Sequence, residues 1–292
     1  MEDLETYRPL LFSIAYRMTG SASEAEDLVQ ESFLRYLNTP CRTIHSLKSF
    51  LITIVVHLCL DYLKSARLER EHYVGVWLPE PVLTTDSELW PEANLEQKES
   101  LSLAFLLLLQ TLAPPERAIF LLHEVFDYPF QDIAQIVGKS PVACRQILHR
   151  AHQHVAAHQR RFAASPEVHA HLLQHFLLAC QGGDLAALTK LLAKDSTVWA
   201  DGGGKATATL RPVFGQGKVV RLVLGITRKL PPGLRVSIEE INSAPALVAW
   251  NESHLEFVSM FDISDQHIQN LYTVRNPDKL VFLQRQLAKH SP

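Results

Sequence analysis

The sequence predicts a multidomain chain: two all-α domains followed by an α+β domain. Three observations carry this. The run from Leu112 to Val155 reads as helix, turn, helix, tight turn, helix. A separate helical segment lies upstream of it. From Glu167 onward, helical patterns give way to runs of alternating β type. At 292 residues the chain has room for two or three domains, and 47% hydrophobic content suffices for packed cores. The boundaries predicted are 1–75, a linker over 76–95, then 96–161 and 166–292.

The first element is a helical stripe of Tyr7, Leu10, Leu11, Ile14, Ala15 and Met18, stopped by Gly20. Ser23 is the expected cap of a second helix, with Glu26 as its capping-box partner. That helix, Glu24–Leu37, should bury Ala25, Leu28, Val29, Ser32, Phe33 and Tyr36. Asp27, Gln30, Glu31, Leu34 and Arg35 then face outward. Asn38-Thr39-Pro40 ends it. A long helix from about Leu47 to Glu71 follows, first apolar (Phe50, Leu51, Ile54, Val55, Leu58), then polar (Asp61, Lys64, Arg67, Arg70). Residues 72–95 carry three prolines among polar residues and read as an extended, semi-rigid linker.

In the second helical domain Pro114-Pro115 opens a helix over Glu116–Val125, and Asp127-Tyr128-Pro129 turns the chain. Phe130–Val137 is the first helix of a helix-turn-helix, with Gly138 at its C-terminal turn. Ser140-Pro141 caps and opens the last helix. Ile133, Ala134, Val137, Ala143 and Ile147 are expected where the two helices touch. Ser140, Val142, Arg145, Gln146, His149 and Arg150 fall on the other face. The chain has a net charge of −3, yet residues 139–161 hold Lys139, Arg145, Arg150, Arg160 and Arg161 and no acid. A capped, acid-free helix after a tight turn points to DNA.

The third domain begins with helices over Val168–Gly182 and Ala186–Lys194. Then come Ser196–Ala200, a DGGGK turn, and strands over Leu234–Ile241, Ala246–Trp250, Leu255–Ile263 and Gln266–Val274. The expected result is a curved antiparallel sheet packed on helices. Cys41, Cys59, Cys144 and Cys180 form no CxxC, which fits free thiols in a reduced, cytoplasmic compartment. The N-terminus shows no signal peptide. The run Leu101–Leu112 is too short to span a bilayer, so no membrane role is expected. Histidines gather at His149, His152, His154, His158, His169, His171 and His175. His154 and His158 stand at i, i+4, but no cysteine or acid sits at a matching ligand spacing, so no metal and no cofactor are expected. Carboxylate chemistry could draw on Asp201, Asp262 and Tyr272. The triple glycine after Asp201 reads as a backbone turn rather than a phosphate cradle.

AEDLVQESFLRYL (Ala25–Leu37) resembles the polymerase-binding helix of sigma factors. LAPPERAIFLLHEVF with DIAQIVGKSPVACRQILHRA resembles their promoter-reading helix-turn-helix. Their order resembles the extracytoplasmic-function (ECF) group, which keeps only sigma regions 2 and 4. WLPEP (Trp77–Pro81), DGGGK (Asp201–Lys205) and NPDKL (Asn276–Leu280) further resemble the SigJ-like subgroup, with a fused SnoaL-like (NTF2-like) cone.

The resemblance implies that Asp27, Gln30, Glu31 and Arg35 meet the β′ clamp helices of core RNA polymerase, the second helical domain meeting the β flap. It implies −10 reading from the loop after Asn38, with Arg42, His45 and Lys48, and with Lys64, Arg67 and Arg70 on phosphates. His57 stands where many relatives have Asn. It implies −35 reading by Ser140, Arg145, Gln146, His149 and Arg150. Trp77, Pro79, Pro81, Asp201, Lys205, Asn276, Asp278 and Lys279 would form a regulatory contact between the chain and its own C-terminal domain. No catalytic residue and no separate anti-sigma factor is implied. The alternatives are a helix-turn-helix regulator independent of polymerase, or a SnoaL-like cyclase or isomerase.

Overall fold

The computed structural model describes residues 4–39, 46–90, 99–158 and 166–290. The chain divides into two compact units. One comprises Met1–His72 and Thr84–Gln159, the other Tyr73–Leu83 and Arg160–Pro292.

In the first unit a short 3₁₀ turn leads into α1 (Arg8–Thr19), closed by Gly20 in the left-handed region with φ 73°. The cap of α2 (Ala22–Leu37) is Ser21, not Ser23: its backbone is extended and its Oγ accepts from the Glu24 N–H at 3.2 Å. The helix therefore starts early enough to bury Ala22, with Ser23 already inside it. Helix α3 (Leu47–Glu71) has the predicted bounds. By length and composition Leu47–Ala66 could cross a membrane. Leu51, Ile52, Val55, Val56 and Cys59 are nevertheless fully buried, and α3 packs against α1 and α2, as the core helix of a bundle does.

The further helices described in this unit are α4 (Leu103–Leu109), α5 (Pro114–Phe120), α6 (Phe130–Val137) and α7 (Pro141–His158). The helix expected over Glu116–Val125 is continuous in space but ends in a π turn, with Phe126 N–H bonded to Leu121 O at 3.2 Å. Gly138 (φ 65°) closes α6, as its position requires. The buried stripe of α7 is Cys144, Leu148, Ala151 and Val155, one residue round from the expected Ala143 and Ile147, which are half-buried. The reason is that α7 packs against α5 as well as α6, so its apolar stripe points between the two.

Helix α3 also packs on α5 and α6, so the two helical domains share one unit. Their junction holds buried arginines. Arg17 Nε donates to Ser100 Oγ at 2.9 Å, and its guanidinium lies 5.8 Å from the Trp90 ring and 5.5 Å from that of Phe126. Arg117 donates through Nη1 to Met18 O, while its buried Nε has no hydrogen-bond partner among the described residues. Burial holds Arg17 at about 9 and Arg117 at about 10, far below the ordinary guanidinium value.

In the second unit α8 (Pro166–Gln181) and α9 (Leu185–Leu191) precede a six-stranded sheet of order β2-β1-β6-β5-β4-β3. The strands are β1 (Leu192–Asp201), β2 (Val213–Phe214), β3 (Arg235–Ile241), β4 (Ala244–Asn251), β5 (His254–Ser264) and β6 (His267–Val274). The sheet is mixed, not antiparallel throughout, because β1 pairs parallel with β6. The β3–β6 run is an antiparallel meander whose last strand comes back alongside β1. Asn242-Ser243 and Asp265-Gln266 take positive φ at two-residue hairpin turns, the geometry that matches strand twist.

Two helices absent from the sequence expectation complete the unit: α10 (Gln216–Thr227) and α11 (Pro277–His290). The β-branched run of α10 masks its helical phase. Leu172, Phe176, Leu188, Val220 and Leu224 from α8–α10 form one core with Leu247, Phe261 and Leu271 of the sheet. Cys59, Cys144 and Cys180 are free and buried, and burial raises all three thiols.

His169 on α8 is buried, its Nε2 without a partner among the described residues, and burial lowers its pKa to about 4. An unfolded chain takes up this proton near pH 6.5, and the folded one resists it down to about 4. The stability this neutral imidazole preserves is thus complete above pH 6.5 and is lost as pH falls towards 4. Unfolding titrations should show about 1–3 kcal/mol of loss across that window that vanishes in His169→Phe. Identical pH profiles for the two chains would refute this.

Candidate nucleic-acid interface and the Asp201 cluster

Helix α2 presents the polar face expected of it. Asp27, Gln30 and Arg35 are exposed and Glu31 is half-buried, with Glu31 and Arg35 paired at 2.8 Å. Beside them Leu34 and Leu37 are 55% and 66% exposed, a pair of apolar side chains held in water. An exposed pair of this kind adds little to folding, and the two leucines give the face an apolar contact that charge reading alone had not singled out.

Arg42 and His45 lie outside the described residues, as does the side chain of Arg67. Lys48, His57 and Lys64 are exposed on α3. At about 100° per residue His57 and Lys64 share a face and Lys48 lies opposite. Lys64 is bonded to Asp61 at 2.8 Å, and Lys48 Nζ lies 5.9 Å from the ring centre of Tyr128. Arg70 does not project as a phosphate ligand: it is half-buried, and Nη2 donates to Thr19 O at 3.0 Å, closing the end of α1. A cation on the last carbonyls of a helix is favoured by the dipole as well as by the hydrogen bond.

The α7 face emerges as predicted. Ser140, Arg145, Gln146, His149 and Arg150 are all exposed. Ser140 is the cap, its Oγ accepting from Ala143 N–H at 3.1 Å, which leaves its hydroxyl proton free to donate. His149 Nε2 lies 3.1 Å from Gln153 Nε2. The Arg145 guanidinium lies over the Phe130 ring, with Cζ 5.2 Å from its centre. Between α6 and α7 the surface opens into a recess lined by Gln131, Gln135, Gly138, Lys139 and Ser140, a rim of neutral and cationic groups beside the exposed face.

WLPEP, DGGGK and NPDKL come together within the second unit. Residues 73–83 are no free tether: Leu78, Pro79, Glu80, Pro81, Val82 and Leu83 are buried. At the centre is Asp201, fully buried. Its Oδ2 accepts from Lys279 Nζ at 2.7 Å and Leu78 N–H at 2.8 Å, and its Oδ1 from Tyr73 OH at 2.6 Å. Lys279 Nζ also donates to Leu78 O at 2.6 Å and sits 4.0 Å from the Trp77 ring centre. Asn276 Nδ2 donates to Tyr73 OH at 2.9 Å, and Lys205 pairs with Asp278. Gly203 has φ 56°, and a Cβ there would meet Asn276 Nδ2 at 2.2 Å, so the triple glycine is the predicted turn and lets the other two segments approach.

Tyr73, Asn242 and Gln286 were not anticipated. Asn242 Oδ1 accepts from Val82 N–H, and Gln286 Oε1 accepts from Leu83 N–H at 2.9 Å, so a strand-like strap is held by two side-chain amides. The only available cue was compositional: an aromatic four residues ahead of Trp77. Burial, and then the Asp201 acceptor, raise the Tyr73 phenol far above its usual value.

Asp201 is thus committed to three donors rather than presented as a base. Asp262 likewise accepts from Tyr272 OH at 2.8 Å and Asn270 Nδ2 at 2.9 Å. His171 and His175 meet at 3.1 Å, and His154 faces Glu116 at 3.9 Å; the side chain of His158 lies outside the described residues. Among the described residues no three histidine, cysteine or acidic groups are placed to hold a metal ion.

The Sigma-70 region 2 family model matches residues 4–69, and the Sigma-70 region 4 model residues 102–155. The chain is 38% identical over 235 residues to the ECF RNA polymerase sigma factor SigJ of Mycobacterium tuberculosis (strain ATCC 25618 / H37Rv), covering 80% of this chain and 75% of that protein. The probable ECF RNA polymerase sigma factor SigI of M. tuberculosis (strain CDC 1551 / Oshkosh) is 36% identical over 190 residues, 64% of each chain. The crystal structure of M. tuberculosis SigJ matches with a TM-score of 0.75 at 30% identity, over 95% of this chain and 97% of that one.

Proposed function

The chain belongs to the ECF sigma factors of RNA polymerase, and we propose from that membership how its residues divide the work of promoter-specific initiation. Asp27, Gln30, Glu31 and Arg35 of α2, with Leu34 and Leu37, dock on the β′ clamp helices, and the region 4 helices dock on the β flap. Lys48, His57 and Lys64 serve the −10 element, together with Arg42, His45 and Arg67. Ser140, Arg145, Gln146, His149 and Arg150 serve the −35 element, where Arg to guanine and Gln to adenine are the natural pairings.

The observation that favours a sigma factor over a polymerase-independent regulator is the shared helical unit. The two promoter elements lie about 25 base pairs apart, on the order of 85 Å at ~3.4 Å per pair. A compact unit of this size is on the order of 35–40 Å across. The closed unit cannot touch both elements at once, so an outside scaffold must hold its halves apart.

The second unit regulates this in cis, in place of a separate anti-sigma factor. The connection between the two helical domains runs through residues 73–83, and those residues are built into the second unit around Asp201. Whatever loosens that cluster lengthens the connection. The same commitment of Asp201 argues against an enzyme built on the cone. The reading places the protein on DNA in the cytoplasm, with no membrane.

Size-exclusion chromatography with bacterial core RNA polymerase tests the assignment. A stoichiometric complex is expected, weakened at least tenfold by Asp27→Arg with Glu31→Arg, since each lost charged contact at a desolvated interface costs about 1–3 kcal/mol. Absence of a complex for both the full chain and residues 1–165, with DNA binding retained, would sink it in favour of an ordinary regulator.

A further inference from the structure

We propose that Phe130 is a positioning residue for promoter reading: its ring fixes the guanidinium of Arg145 for one base pair of the −35 element. The inference rests on the assignment of Arg145 as a base contact. Phe130 opens α6, the helix that precedes the recognition helix, and carries none of the donors or acceptors that read base edges.

The ring has a second neighbour. His123 packs on it at 4.5 Å between ring centres with a 32° tilt. His123 Nδ1 lies 2.8 Å from Glu124 Oε1, and His152 Nε2 reaches the same oxygen at 3.2 Å. The His152 ring meets Phe120 edge-on at 5.5 Å, and Phe120 is 5% exposed. Phe130 is therefore tied, through His123, Glu124 and His152, to the buried Phe120. Arg145 Cζ lies 5.2 Å from the centre of the Phe130 ring.

The consequence is entropic and directional. A free arginine side chain carries about 2 kcal/mol of rotamer entropy that a bidentate contact to guanine must overcome. A guanidinium already held over a ring has lost part of that freedom before DNA arrives. Arg145 is the fifth residue of α7, within the N-terminal part of a recognition helix that reaches base edges. Among the described residues no such ring lies under Arg150 on the same face, so the effect should be local to the base pair that Arg145 reads.

The test uses holoenzyme reconstituted from core polymerase and the full chain. Open-complex formation is measured on promoters carrying every single substitution across the −35 element. Arg145→Ala should abolish discrimination at one position, by roughly 5- to 150-fold. Phe130→Leu should reduce discrimination at that same position by about two- to fivefold, the worth of an exposed cation–π contact. It should leave the other positions alone and add nothing in the Arg145→Ala background. Phe130→Tyr, which keeps the ring, should read as wild type and separates positioning from folding. An equal loss at all positions for Phe130→Leu, or a loss that persists without Arg145, would overturn the inference while leaving Arg145 as a reader. No position-specific loss in Arg145→Ala would overturn the underlying assignment as well.

Discussion

Lys279→Met is expected to destabilise the C-terminal unit by about 3–5 kcal/mol, the cost of stranding one partner of a buried ion pair. For a unit of this size that is roughly 10 °C in Tm. Asp201 has no exposed surface and Lys279 is only 6% exposed, so water cannot replace the lost ammonium. The substitution leaves Asp201 with Tyr73 OH and the Leu78 N–H, and leaves the Leu78 carbonyl without its Lys279 donor. Asp201→Asn should cost a similar amount by stranding the lysine. The double variant should cost clearly less than the two losses added, because the charges disappear together. Denaturant midpoints at constant m would read all three. A loss below about 1 kcal/mol for Lys279→Met would mean the pair is solvated in solution. By contrast, breaking the surface pair of Lys64 and Asp61 should leave the denaturant midpoint where it is, since both side chains are mostly in water.

The parts legible in the sequence were those with local causes. The glycine ends of α1 and α6, the Ser140-Pro141 opening of α7 and the hairpin strands follow from φ preference, capping and period, all set within a few residues. Tertiary causes were not legible. Ser21 outcompeted Ser23 because Ala22 is drawn into the core. The stripe on α7 turned by one residue because two helices, not one, lie against it. The parallel pairing of β1 with β6 depends on partners far apart in sequence, which a period-2 pattern cannot register. In the candidate site, the outward face of α7 was readable from charge and cap. Arg70 was misread because its partner, a helix-end carbonyl, has no signature in side-chain chemistry. The Asp201 cluster was foreseen only as three motifs that belong together; Asn242 and Gln286 bind backbone, Tyr73 binds the side chains of Asp201 and Asn276, and none of the three carries a motif of its own.

Arg17→Ala is expected to destabilise the helical unit by about 3 kcal/mol, although charged residues are usually surface residues and cheap to remove. Arg17 is 2% exposed, and its guanidinium contacts the rings of both Trp90 and Phe126. It bonds Ser100 Oγ and Ser13 O, so truncation opens a cavity and strands polar atoms in one step. Arg17→Lys should recover only part of the loss, since an ammonium can neither lie flat between two rings nor span both serines. The control is Arg8→Ala, whose pair with Glu5 at 2.5 Å is partly in water and should cost under about 0.5 kcal/mol. The site of the damage is also predicted. Trp90 is 8% exposed and packs edge-on against Phe12 and Tyr16, so its quenching by acrylamide should rise in Arg17→Ala, read against a Trp90→Phe chain. Such a rise, seen before global unfolding, would locate the junction between α1 and the residues around Ser100 and Phe126 as the place where the two promoter-reading domains come apart. An unchanged Trp90 in a destabilised chain would instead place the loss inside the α1–α3 bundle, and the junction would no longer be the weak point of the unit.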